Sequence, residues 1–212
     1  MKAAAIVVVF MLAGCASSPA PPAADTAQQP FPDIGGQRVM MLPVQQVVPA
    51  ISPPATADTT RPMLALSSES LRAVEAELAY WLPEQAPRVR WVLPDAIERA
   101  VQGSAALDGI TVRDLPVRDF QRSRLQSIGD PLYGDLRRVA VVTDARLALL
   151  PIGAVWIPET TGAGRVHLAA ALIDTMGGRV LWYGVAASSP GERDDPAVAA
   201  SAARALALQV PR

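Results

Sequence analysis

The chain has 212 residues, half of them hydrophobic, with 19 Lys and Arg against 20 Asp and Glu and a single histidine. A balance this close to neutral gives no sign of nucleic-acid binding or of adhesion to anionic lipid, both of which draw on a strong positive field. One cysteine permits no intramolecular disulfide, and one histidine with that cysteine falls short of a zinc ligand set.

Met1-Lys2 opens the chain, an apolar run follows from Ala3 to Leu12, and Ala13-Gly14-Cys15 closes it. A short charged start, an apolar stretch and small residues before a cysteine make the lipid-accepting form of a secretory signal. Cleavage is expected between Gly14 and Cys15, with palmitate-type acyl chains on Cys15. As a helix, Ala3 to Gly14 would measure about 18 Å at ~1.5 Å per residue, too short for the ~30 Å hydrocarbon core of a bilayer. Several acyl chains at ~0.8 kcal/mol per buried CH₂ make such an anchor effectively permanent. Lipidation also accounts for an unpaired thiol in an exported chain.

Residues 16 to 36 read as a tether. Ala16-Ser17-Ser18-Pro19-Ala20-Pro21-Pro22 is small and proline-rich, a composition expected to stay extended and hold a domain off the membrane. A single α/β domain is expected over 37–209, a length that buries a real core. Arg38 to Val48 is the first strand candidate, an apolar run buried on both faces that Pro43 disturbs. Leu71, Val74, Leu78 and Trp81 recur at helical spacing after Ser67 or Ser68 as cap, and Pro83 is expected to end that helix. Arg88 to Leu93 alternates as the second strand. Pro94 then opens a short helix that Gly103 stops.

Residues 104 to 129 show no clear period. Asp130-Pro131 looks like a cap with proline at the first helical position, followed by Leu132, Leu136 and Val139 on one face. Three strands are expected from Arg146 to Ile157, Arg165 to Ile173 and Arg179 to Ala187. Asp174-Thr175-Met176-Gly177-Gly178 turns the last two into a hairpin. Asp195-Pro196 starts a final alanine-rich helix through Leu208. Strand, helix, strand, two helices, three strands and a helix predict an α/β (α+β) domain: one mixed sheet of about five strands flanked by helices, ending in a hairpin and a helix.

Three stretches carry a family resemblance. Arg38-Val39-Met40-Met41-Leu42-Pro43-Val44, the helix-to-strand passage Leu136 to Leu150, and the hairpin Leu172 to Trp182 resemble a group of periplasmic lipoproteins. The group includes penicillin-binding-protein activators, the curli-secretion lipoprotein and the amino-terminal domain of the Tol–Pal propeller protein. The last hairpin and helix are also similar to auxiliary lipoproteins of lipid-transporting ABC systems. The resemblance implies a non-catalytic assembly or regulatory adaptor of the cell envelope, bound to the membrane by its lipid and to an envelope protein partner, with no cofactor. A secretion-channel subunit and an ABC auxiliary are the alternatives it leaves. Ala16, where an aspartate would retain a lipoprotein in the inner membrane, implies the outer membrane, facing the periplasm.

The residues themselves offer little chemistry. His167 is expected on a strand face with Ala169 and Ala171, without the nucleophile and acid that a triad needs. Gly103-Ser104 lacks the second glycine of a nucleophile elbow. Gly162-Ala163-Gly164 joins two strands, not a strand to a helix as a phosphate loop does. Arg113, Arg118, Arg122 and Arg124 form the densest basic stretch. They are a candidate partner surface, although interspersed Asp114 and Asp119 also fit a solvated, salt-bridged face. Trp81, Trp91, Trp156 and Trp182 are expected in the core, Trp156 lying nearest a loop.

Overall fold

The computed structural model describes residues 30–49, 62–121, 125–159, 162–193 and 195–212. Gly14, Cys15, Arg122 and Arg124 lie outside them. Among the described residues six strands form one mixed sheet covered by four α-helices, an α/β fold in which the last strand leads into the last helix.

The first strand, β1 (Arg38–Met41), runs parallel to β3 (Arg90–Val92) on one side and to β4 (Leu147–Pro158) on the other. Then β5 (Gly164–Asp174) and β6 (Arg179–Ala187) continue the sheet antiparallel. The sixth strand, which the sequence did not announce, is β2 (Leu64–Ala65), two residues set against Trp156 and Val155 in the far half of β4. The order is β3-β1-β4-β5-β6.

Helices α1 (Ser68–Gln85) and α4 (Pro196–Ala207) cover one face, α2 (Pro94–Gln102) and α3 (Leu132–Thr143) the other. Strand alternation sorts the core between them. Val39 and Met41 face α1 and α4, while Met40 and Leu42 face α2 and α3. Along β4, Leu147 and Leu149 face α1 and α4, but past Pro151 the even residues Ala154 and Trp156 take over. The register slip between Pro151 and Gly153 makes that exchange, because one added residue swaps the faces of all that follow.

Each helix has a local cause. The stripe of Leu71, Val74, Leu78 and Leu82 is buried, and Ser67 Oγ accepts the Ser70 N–H at 3.1 Å to cap α1. Pro83 sits inside the last turn and the helix runs on to Gln85. Asp195 caps α4 by accepting the Ala197 N–H at 2.8 Å. Ala199, Ala202 and Ala203 on its inner face are buried and let it approach α1 closely. Pro131 occupies the cap position of α3 itself, one residue later than expected, while Asp130 Oδ1 accepts from Gly134 N at 3.2 Å.

Three expectations need correcting. The first strand ends at Met41, not Val48. Pro43 has no N–H to donate, and beyond it the chain keeps only spaced bonds to β4, such as Gln45 N to Pro151 O at 3.0 Å. The second strand contracts to Arg90–Val92. The end of the segment read as tether is docked: Phe31 and Ile34 are buried, and the Phe31 ring lies 4.7 Å from that of Trp182.

The sheet has two ends. At one, β1, β3 and β4 begin, and the β5–β6 turn returns; residues 30–37 cross this end, where Gly36 N donates to Arg88 O. At the other lie the carboxyl ends of the parallel strands and the β4–β5 hairpin, in which Glu159 N donates to Ala163 O.

Candidate functional site

In an α/β sheet, ligands favour the crevice outside the carboxyl ends of the strands where the winding reverses. Here that point is β1. The chain leaves it through α1 on one face to reach β3, then returns past it through α2 and α3 on the other face to reach β4.

The crevice is filled by the protein's own polar groups. Glu75 of α1 accepts the Val44 N–H at 3.0 Å, just past the strand. The same carboxylate takes Arg113 in a two-pronged bond, Nη1 to Oε2 at 3.2 Å and Nη2 to Oε1 at 3.0 Å. Arg113 Nε pairs with Glu98 Oε1 of α2 at 2.5 Å. One arginine from the loop after α2 therefore ties both helices over the end of β1, with the planar fork that a bidentate carboxylate pair needs. Burial works against its charge, but the hydrogen bond and charge of Glu75, with Glu98 added, outweigh that and hold its proton more firmly than usual.

Below this ion cluster sits Gln45, 1% exposed. Its amide donates to Pro43 O at 2.8 Å and Val112 O at 3.0 Å, and its oxygen accepts the Leu115 N–H at 2.9 Å. Gln45 thus stitches the loop around residues 110–115 to the sheet, and buries Val112, Leu115 and Val117 beneath it. The depression that remains, lined by Glu98, Gln102, Thr111 and Arg113 among others, is about 250 Å³. Pockets for small ligands run ~300–1,000 Å³.

The arginine stretch divides. Arg113 is turned to Glu75 and Glu98. Arg118 is exposed at the start of a short 3-10 helix, Arg118–Gln121. Arg122 and Arg124 lie outside the described residues.

His167 sits on β5, between Val155 and Ala187 on the neighbouring strands, on the face it shares with Ala169 and Ala171. Its imidazole makes no hydrogen bond among the described residues. Burial first, then the charge of Arg165, lowers its pKa below the ordinary value, with Glu159 pulling the other way. The nearby Ser188 hydroxyl is committed elsewhere, accepting from Val166 N and donating to Ser189 O. Among the described residues no group of three or more His, Cys, Asp and Glu could hold a metal ion, and no helix is long and apolar enough to cross a membrane. Trp156, 8% exposed, belongs to the core.

Gln45 and Glu75 were missed by sequence reasoning. The one available signal was the polar pair Gln45-Gln46 interrupting an apolar run directly after a proline.

No family model matches the chain, and no curated protein matches it. The solved structures similar in outline include the following two. One is a PelC dodecamer from Paraburkholderia phytofirmans, 15% identical over 86% of this chain and 93% of that chain, with a TM-score of 0.40. The other is the lipoprotein GNA1162 from Neisseria meningitidis, 14% identical over 74% of this chain and 84% of that chain, with a TM-score of 0.42.

Proposed function

We propose that this chain is a lipid-anchored lipoprotein of the outer membrane, facing the periplasm, where it serves as a non-catalytic adaptor for an envelope protein partner. The observation that carries the non-catalytic part is the sealed crevice at β1. The place where this architecture offers a ligand site is occupied by Arg113 and Gln45, and each of their polar groups named above already holds the fold together. To admit an anion, Arg113 would have to leave two carboxylates. His167 adds no alternative centre, since the hydroxyl of Ser188, just past the neighbouring strand, is spent on backbone. The leader Leu12-Ala13-Gly14-Cys15 carries the anchoring part. For the adaptor surface the reading turns to Arg118, Arg122 and Arg124, because Arg113 is compensated internally.

Fractionation after a high-salt wash tests the anchor. Wild-type protein stays with the membranes, Cys15→Ser does not, and the amino-terminal peptide gains the mass of its acyl chains. An unmodified Cys15 overturns the anchoring. Capture of partners from membrane extract, with and without charge reversal at Arg118, Arg122 and Arg124, tests the adaptor surface, since a rim charge acts on association rate and salt dependence. Identical partner sets remove those arginines from the interface. A hydrolytic activity lost in folded His167→Ala protein overturns the non-catalytic reading.

A further inference from the structure

The end of the sheet crossed by residues 30–37 has a composition unlike the rest of the surface. An arginine stands at or immediately before the start of every strand that begins there. Arg38 opens β1, Arg90 opens β3, Arg179 opens β6, and Arg146 stands immediately before β4. Arg38 and Arg146 have only long ion pairs, 3.8 Å to Asp144 and 3.5 Å to Asp174. Arg90 and Arg179 have no ion pair among the described residues. Asp33, Asp144 and Asp174 lie at the same end, but with Arg88 close to Asp33 the arginines outnumber these carboxylates and leave the end net positive.

Large apolar side chains are exposed around the same ring. Val141, 72% exposed, and Val142 lie in the last turn of α3, which ends beside Arg38 at Asp144. Met176 tips the β5–β6 turn, where its carbonyl accepts from Tyr133 Oη at 2.9 Å. Leu208 ends α4, next to the end of α1, where Gln85 Nε2 donates to Val210 O. Tyr80 projects from the closing turns of α1. Only Val48 and Met63, of the exposed large apolar residues described, belong elsewhere.

We propose that this end docks on the surface of an anionic phospholipid bilayer. The strand-start arginines meet headgroup phosphates, and Val141, Val142, Met176 and Leu208 enter the boundary between headgroups and acyl chains. The proposal rests on the reading that Cys15 is acylated. The chain leading away from the structure selects the occupant. Fourteen residues separate Cys15 from Pro30, a span that reaches ~50 Å fully extended and ~20 Å as a typical coil. The sheet is ~40 Å long, since β4 has 12 residues at ~3.3 Å each. A coil of that length leaves the arginine end facing the bilayer, whereas the opposite end reaches it only with the tether nearly taut along the domain. The tether also keeps the docking end at high local concentration near the lipid, so a weak second contact adds to a lipid anchor as a basic patch does.

The test uses the mature chain without acylation, made as Cys15→Ser, and vesicles of phosphatidylethanolamine with phosphatidylglycerol or, as the neutral control, with phosphatidylcholine. At low salt the protein cosediments with the anionic vesicles at least tenfold more than with the neutral ones, and salt releases it. Replacing Arg38, Arg90, Arg146 and Arg179 by glutamine together, or Val141 and Met176 by aspartate, lowers the bound fraction at least tenfold; Arg118→Glu leaves it unchanged. Backbone amide exchange of the otherwise unsubstituted protein on the same vesicles shows new protection at 139–146 and 174–180, so a failure of the variants to fold does not decide the matter. Equal sedimentation with both vesicles, protection on another surface, or a dimer in solution that Val141→Asp dissolves would overturn the proposal. An unmodified Cys15 in cells together with retained vesicle binding refutes the anchor and keeps the docking face.

Discussion

Replacing Gln45 by alanine strands three backbone groups at once. The amide of Gln45 serves two carbonyls, Pro43 O and Val112 O, and its oxygen serves the Leu115 N–H, all inside the protein. A buried hydrogen bond contributes ~1 kcal/mol net, and a buried group left unpaired costs ~1–3 kcal/mol. Three lost bonds set a floor of about 3 kcal/mol. The loop around residues 110–115 can part from the sheet and rehydrate some of these groups, which keeps the total to about 3–5 kcal/mol. That is a fifth or more of the ~5–15 kcal/mol that holds a domain folded, and it lowers the melting temperature of a domain this size by about 8–14 °C. Urea unfolding of the acyl-free chain, followed by circular dichroism, measures it. Gln45→Glu separates bonding from shape. It keeps the acceptor for Leu115 but turns the donor toward Pro43 O and Val112 O into a third acceptor, so it should destabilise at least as much as alanine despite equal volume. Local exchange supplies the second reading, since the Leu115 amide should lose protection before the sheet does. An alanine variant within about 1 kcal/mol of wild type, with Leu115 exchanging as slowly as before, would refute the role of Gln45 as a stitch.

Gly153→Ala should cost about 3 kcal/mol in the same unfolding assay, because a Cβ there would stand 1.9 Å from Val47 O and 3.2 Å from Gln45 O, backbone atoms that no side-chain rotation can move; unchanged stability would show that residues 45–47 do not lie over the β4 slip. His167 has a folded pKa below its unfolded one, so the unfolded chain takes up the proton first and stability is complete above the ordinary value of ~6.5. As pH falls through 6.5 and on through the folded pKa, stability declines, and His167→Gln should remove that part of the slope in melting experiments between pH 7 and 5; an unaltered slope would place the titration in another group.

The regular elements were legible because their causes are local. Gly164–Asp174 and Arg179–Ala187 alternate between two covered faces, and Gly178, at φ 67°, supplies the left-handed residue that their turn needs. The four helices carry their stripes and breakers in the sequence. What escaped was non-local. β2 is two residues long and exists as a strand only because Val155 and Trp156 lie opposite. Ile110, Val112, Leu115 and Val117 are all buried without forming a regular element, so no period marks them. Their order comes from Gln45, about 70 residues earlier in the chain, and from Arg113 between two helices.

The arginine stretch shows why residue type alone could not locate a site. Arg113 and Arg118 are five positions apart, chemically identical and both exposed, yet one is paired with Glu75 and Glu98 while the other makes no ion pair among the described residues. The arginines that gather into a coherent surface, Arg38, Arg90, Arg146 and Arg179, are scattered over 142 positions of sequence and meet only because parallel strands start at the same end of the sheet and the last hairpin returns to it. No spacing rule detects such a cluster; the topology creates it. The same topology seals the opposite end, where the winding reverses at β1 and Arg113 fills the crevice. A fold arranged this way leaves contact to its ends and rims, and places the charged, apolar end beside the chain that leads to Cys15.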